Sequence, residues 1–227
     1  PFKMSDFAES TGTMVVPVQN GVDAADRLVA VLGRGAVVKG CIYVVSFLVA
    51  PGKVEHRSPF CKLVFAEMDN APSRRTADFA SALQASGIAA EVSAEIDGAL
   101  WRKFMMLAPF AAVACLARRG VGDILGHAPA LSLLTEAMEE VAAVARARGI
   151  ALPGDVVAQS LEGMRAFPPQ SRPSMLGDIE AGRPLELESL SGAVVRFGAE
   201  VNVATPVHGV AYRVLSLYGG GTRASAT

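Results

Sequence analysis

The sequence predicts an α/β part followed by an all-α part. Two textures and one composition carry that reading. From Thr13 to about Val92, short β-branched runs alternate with stretches of helical spacing. After Glu95, apolar residues recur at helical intervals. The 227 residues are 51% hydrophobic and 19% charged, enough apolar content and length for one large domain or two small ones with true cores. The boundary is placed near residue 93, giving parts 1–93 and 94–227.

In the first part, Met14-Val15-Val16-Pro17-Val18 reads as a strand ending in the turn Gln19-Asn20-Gly21. Asp23 to Leu32 reads as a short helix with Ala24, Leu28, Val31 and Leu32 on one side. Val37 to Val49 is a long β-branched stretch that Pro51-Gly52 interrupts, and Lys62 to Ala66 is a further strand. Ser73 caps a helix that runs to Ser86 and stops at Gly87, and Ala90 to Ser93 returns as a last strand.

In the second part, Trp101, Phe104, Met105 and Ala108 mark a helix that Pro109 is expected to kink or break. Leu131 to Arg148 is amphipathic and closes at Gly149, and Pro168-Pro169 marks a loop. Pro184 opens another helix carrying Leu187, Leu190, Val194 and Val195. Thr205-Pro206 starts the last one, to about Tyr218, and the tail from Gly219 is expected to fray.

Charge and composition narrow the function. With 21 basic and 22 acidic side chains, the net charge of -1 creates no basic field, so neither nucleic acid nor a membrane surface is an expected partner. Cys41, Cys61 and Cys115 form no CxxC pair and suit a reducing cytoplasm. His56, His127 and His208 are scattered, so no metal site is expected. The apolar run Phe104 to Ala117 has 14 residues, roughly 21 Å as a helix, which is short of a bilayer core and reads as a buried helix. Pro1 to Asp6 is not followed by the apolar run of a signal peptide.

Four side chains could carry chemistry. On a helix Lys103 neighbours Ala99, Leu100, Met106, Leu107 and Phe110, all apolar. An ammonium so placed loses solvation and becomes a usable proton donor near neutrality, unless it simply snorkels to water. Glu186 and Glu188 lie about 200° apart around a helix, so only one can face a shared pocket, and either could serve the helix dipole instead. Asn20 stands at a strand end, where ligands meet open α/β sheets, though an Asn-Gly pair also makes an ordinary turn. Ser174 follows Pro173 and could cap a helix or offer its hydroxyl to a ligand. Gly120-Val121-Gly122 with Gly126 has the wrong spacing for a nucleotide loop, and no GxGxxG, P-loop or GxSxG is present.

Four motifs in order resemble the ketopantoate reductase (2-dehydropantoate 2-reductase) family. They are Val16-Pro17-Val18-Gln19-Asn20-Gly21-Val22, Leu100-Trp101-Arg102-Lys103, Pro173-Ser174-Met175-Leu176-Gly177-Asp178-Ile179, and Gly182 to Glu188 followed by Ser191 to Val195 and Thr205-Pro206. The likeness implies an NADP(H)-binding Rossmann domain, here without its first half, then a helical domain similar to that of 6-phosphogluconate dehydrogenase. It implies NADPH-dependent reduction of a small-molecule 2-oxo acid to a 2-hydroxy acid, in pantothenate biosynthesis, and it allows a homodimer. By motif, Lys103 would be the general acid and Glu186 would bind that lysine or the cofactor ribose. Asn20 would touch nicotinamide and substrate, Ser174 the substrate carboxylate, and Ser46 would lie along the cofactor. The family typically has asparagines where this chain has Leu107, Ala111 and Val121, which points to a larger or more apolar 2-oxo acid. The competing readings are a non-catalytic helical dimerisation or binding unit and another β-hydroxyacid dehydrogenase.

Overall fold

A computed structural model describes residues 13–221. They form two compact units, one holding Asp23–Leu100 with the residues before Asn20, the other Asn20–Val22 with the residues from Trp101 onward. The expected fraying of the tail concerns mainly residues 222–227, which lie outside the described range; within it, the Gly219 carbonyl accepts the Leu185 N–H at 3.2 Å.

In the first unit, helix α1 (Ala24–Leu32) precedes strands β1 (Val38–Tyr43), β2 (Ser46–Ala50), β3 (Lys53–His56) and β4 (Lys62–Glu67). Helix α2 (Arg74–Ala85) and strand β5 (Ala89–Val92) follow. β4 is central, antiparallel to β1 and parallel to β5. Its residues Leu63, Val64, Phe65 and Ala66 are all buried, as a strand covered on both faces requires. The two-residue period sorts them. Val64 and Ala66 pack with Cys41, Ile96 and Ala99, while Leu63 and Phe65 pack with Phe79, Ala80 and Leu83. Ser73 caps α2 by accepting the Thr76 N–H at 3.2 Å, as its position in the sequence predicts.

Three expectations need correction here. Met14 to Val18 is not a strand: only Val15 pairs, in a parallel bridge to Val37. Pro17 has no N–H to give a ladder, and the segment instead packs over Gly40, where a side-chain Cβ would lie 2.5 Å from the Pro17 carbonyl oxygen. The stretch Val37 to Val49 is two strands in different sheets, separated at Val44-Val45; β2 turns back at Pro51-Gly52 to pair with β3 in a hairpin whose residues are all exposed. In α1 the buried stripe is Ala25 and Leu32, with Leu28 and Val29 against them, whereas Val31 is 58% exposed. Leu28 and Leu32 keep the expected face, while Ala25 and Val29 take the places expected of Ala24 and Val31, because Val37 and Met68 receive Ala25 and Leu32.

Helix α3 (Ile96–Ala117) runs unbroken through Pro109. Proline removes one hydrogen bond, but Phe110 to Cys115 are six consecutive buried residues, so packing on every side of the helix holds it together. The helix has 22 residues, which overturns the length argument against a membrane span. The burial argument stands, since 67% of its most apolar window is covered by protein.

Helices α4 (Val121–Leu125), α5 (Ala128–Ala147), α6 (Val156–Arg165) and α7 (Ser174–Glu180) come next. A 3-10 turn (Leu187–Ser189), α8 (Ser191–Glu200) and α9 (Pro206–Leu215) complete the second unit, with a last 3-10 turn at Ser216–Tyr218. α5 lays Leu134, Met138, Val141 and Ala145 against α3 residues in one core. Gly122 serves packing: a Cβ there would sit 2.6 Å from Pro169 Cβ, and its N–H donates to the Pro169 carbonyl at 2.8 Å. Pro184 does not open a helix. The 3-10 turn and α8 are separate, divided at Leu190 with φ −108° and ψ −102°.

The N-terminus of α9 is capped from a distance. Thr205 occupies the cap position without a side-chain bond. Instead buried Glu140 of α5 accepts the Val207 N–H at 2.6 Å and the His208 N–H at 3.0 Å. The same carboxylate lies 2.8 Å from His208 Nδ1, so that nitrogen carries the proton, while His208 Nε2 is buried without a partner among the described residues.

Candidate active site

The segment Gly182 to Leu185 lies against Gly219 and Gly221, where a Cβ at Gly221 would meet the Gly182 carbonyl oxygen at 2.6 Å. Leu187 and Leu190, both buried, then root the 3-10 turn in the core. Glu186 stands at the N-cap of that turn, half-buried, its backbone carbonyl accepting the Ser189 and Leu190 N–H groups at 3.1 Å each. Its carboxylate accepts a hydrogen bond from Asn20 Nδ2 at 2.9 Å. Asn20 reaches it from the bend before Gly21, whose φ of 103° suits glycine alone.

Glu186 and Glu188 make different contacts, but not for the helical reason expected, since they stand at the cap of and within a 3-10 turn rather than on one α-helix. Glu188 is exposed and accepts the Tyr212 phenol at 2.7 Å. That hydrogen bond, and then the carboxylate's charge, raises the Tyr212 pKa above its ordinary value of 10.0.

Lys103 is half-buried on α3 in the same unit, with buried Ala99 and Phe110 and half-buried Leu100, Met106 and Leu107 at the helical positions around it. Ser174 is exposed as the first residue of α7, and Pro173 holds the N-cap, so Ser174 is not the cap. Ser46 opens β2 in the first unit, exposed and opposite His56. Of the sequence-derived candidates, Asn20 and Glu186 are brought into direct contact. Ala111 and Val121 are buried within the core cluster, while Leu107 is half-buried against it.

The contacts Glu188–Tyr212 and Glu140–His208 were not foreseen. They join residues 24 and 68 positions apart, beyond any local spacing rule. A cleft of about 580 Å³ elsewhere in the second unit is lined by Arg119, Asp123 and His127 with small apolar residues, and includes none of the candidates. Burial pushes the Cys115 thiol up to about 12, so that sulfur is no nucleophile. Among the described residues no group of three or more His, Cys, Asp or Glu could hold a metal ion.

Residues 5–70 match the family model described as ketopantoate reductase PanE/ApbA, and residues 95–219 the model of its C-terminal domain. An uncharacterized oxidoreductase of Bacillus subtilis is 26% identical, over 91% of this chain and 68% of its own length. The 2-dehydropantoate 2-reductase of Mycobacterium tuberculosis is 29% identical, over 90% and 66%. The crystal structure of a PanE/ApbA family ketopantoate reductase from Ralstonia eutropha superposes with a TM-score of 0.83 at 28% identity, over 92% of this chain and 68% of that one. This chain thus spans about two thirds of the length of these relatives. The α/β part corresponds to their Rossmann-like region and the helical part to their C-terminal domain. Because the C-terminal model alone takes in more than half of the 227 residues, the chain belongs to the ketopantoate reductase PanE/ApbA family.

Proposed function

We propose that this chain works in the reduction of a 2-oxo acid to a 2-hydroxy acid with a nicotinamide cofactor, NADP(H). The single observation that carries the reading is the 2.9 Å bond from Asn20 to Glu186. It joins two of the motifs that mark the family, in a chain whose relatives include 2-dehydropantoate 2-reductases.

The donor set fits the nicotinamide end of such a cofactor. Asn20 offers an amide, which matches a carboxamide in both donor and acceptor, and Glu186 is an acceptor suited to ribose hydroxyls. Fit at the pyrophosphate end rests on a glycine-rich turn that this sequence does not contain. When bound, the cofactor supplies a hydride to the carbonyl carbon.

The remaining work belongs to this chain's own residues. Lys103 Nζ donates its proton to the carbonyl oxygen as negative charge develops there. Asn20 orients the reacting groups and is itself fixed by Glu186. Ser174 donates its hydroxyl to the substrate carboxylate. Leu107 tunes the substrate, and the reading favours 2-oxo acids with an apolar or bulky group. Ala111 and Val121, buried in the core, contribute shape rather than direct contacts.

The test is turnover of NADPH with a panel running from ketopantoate to aryl 2-oxo acids. Lys103→Ala is expected to lower kcat by about 100-fold or more while KM stays within a few-fold. A variant as active as the parent removes the lysine from the mechanism. Absence of NADPH binding and turnover by the parent chain itself favours a non-catalytic helical binding unit instead.

A further inference from the structure

A 3-10 turn is a weak element, with few and poorly aligned hydrogen bonds, so the placement of Glu186 depends on what grips the turn from outside. The grip has two parts. Beneath the turn, Leu187 and Leu190 are buried. Above it, Tyr212 of α9 donates to Glu188 at 2.7 Å. The tyrosine ring lies close to Gly192 at the start of α8, where a Cβ would come within 3.0 Å of Tyr212 Cε2 and 3.1 Å of the Leu187 carbonyl oxygen.

Tyr212 is in turn placed by α9, and α9 is fixed in position and rotation at its first turn. There the buried Glu140 carboxylate holds two successive backbone N–H groups and the His208 ring. Tyr212 lies four residues after His208, one helical turn further on. A continuous line of contacts therefore runs from Glu140 through α9 to Tyr212, Glu188, the turn, Glu186 and Asn20.

We propose that Tyr212, seated by the Glu140–His208 pair, is a positioning residue that sets the orientation of Glu186 and through it of Asn20. The proposal builds on the catalytic reading above but has a readout that does not require catalysis. The grip on Glu188 is at the surface, so its loss should disturb placement far more than folding.

The experiment follows the Asn20 side-chain NH2 signals of the 15N-labelled chain by NMR, together with melting and NADPH turnover. In Tyr212→Phe and Glu188→Ala, the Asn20 amide signals should move toward free-solvent values and exchange about three- to tenfold faster. Melting should stay within about 2 °C of the parent. Glu188→Gln, which keeps an oxygen acceptor for the phenol, should restore the parent signals, and Arg213→Ala on the neighbouring exposed position should leave them unchanged. Where turnover is present, kcat/KM should fall about three- to tenfold in the first two variants and recover in Glu188→Gln. Unmoved Asn20 signals in Tyr212→Phe and Glu188→Ala overturn the proposal, as does a general spectral change with a lowered melting temperature. Moved signals in a chain without turnover uphold the positioning role and dismiss the catalytic reading.

Discussion

The Asn20 side-chain amide donates to the Glu186 carboxylate at 2.9 Å, closing a gap of 166 positions in sequence. Asn20→Asp replaces the donor with a second carboxylate at the same distance. Two ionised carboxylates so close repel, and the repulsion appears only as both lose their protons. The variant should therefore be about 1–2 kcal/mol less stable than the parent at pH 7.5, and nearly equal to it at pH 4. Urea unfolding midpoints at the two pH values measure the difference.

Gly40 in β1 faces the Val16-Pro17 segment, with 2.5 Å from a built Cβ to the Pro17 carbonyl oxygen and 2.7 Å to Val16 Cγ1. The nearest obstacle is backbone, which cannot rotate away. Gly40→Ala should cost about 1–3 kcal/mol through overpacking, despite alanine's better strand entropy. A shift in the denaturation midpoint at constant slope checks it, and an unchanged midpoint would show that the segment yields freely.

Glu67 at the end of β4 is held below its ordinary value of 4.5, first by the hydrogen bond from Arg75, then with help from Ser73, against the opposing effect of burial. Arg75 Nε and Ser73 Oγ both donate to Glu67 Oε1 at 2.6 Å. A lowered folded-state pKa means that the stabilisation is present above pH 4.5 and disappears as pH falls through the folded value. Stability of the parent should drop more steeply below about pH 4.5 than that of Glu67→Gln. Thermal melts between pH 3 and 7 test the crossing of the two curves.

The three thiols should separate by reactivity. Burial raises Cys115 to about 12, and Cys41 is buried as well, whereas Cys61 is half-buried. At pH 8 Cys115 is therefore held as the unreactive thiol. Brief iodoacetamide treatment of the native chain should label Cys61 and spare Cys115, and labelling in urea should reach all three. Peptide mass mapping reads the pattern, and early modification of Cys115 would contradict the packing around α3.

The elements legible in the sequence are those closed by local chemistry. Ser73 and Gly87 bracket α2 and Gly149 stops α5 with φ 78°, because each signal and its effect lie within one turn, while at α9 only Pro206 in the first turn acts locally and the cap comes from Glu140. What failed was set by tertiary neighbours. Pro109 lies inside α3 because packing surrounds it, and Val44-Val45 divides a run whose β-branched composition is continuous. The 3-10 turn at Leu187 replaces a helical start because Tyr212 and the core grip it from two sides. At the site, Asn20 and Glu186 stood out through family resemblance, and no spacing rule could have joined them. Glu140 passed unnoticed because a glutamate within a helix gives no sign that it caps another one 67 residues later.

Helix α3 has a cost outside the folded state. A stretch of 22 residues that meets the length and hydropathy of a lipid-spanning segment is concealed only by its tertiary partners. While the chain is being synthesised, or after a break in α5 or α8, the same stretch is free to be taken for membrane cargo or to precipitate. Docking of the helices after Gly120 covers this stretch, and proteolytic fragments ending before them should be recovered in the insoluble fraction.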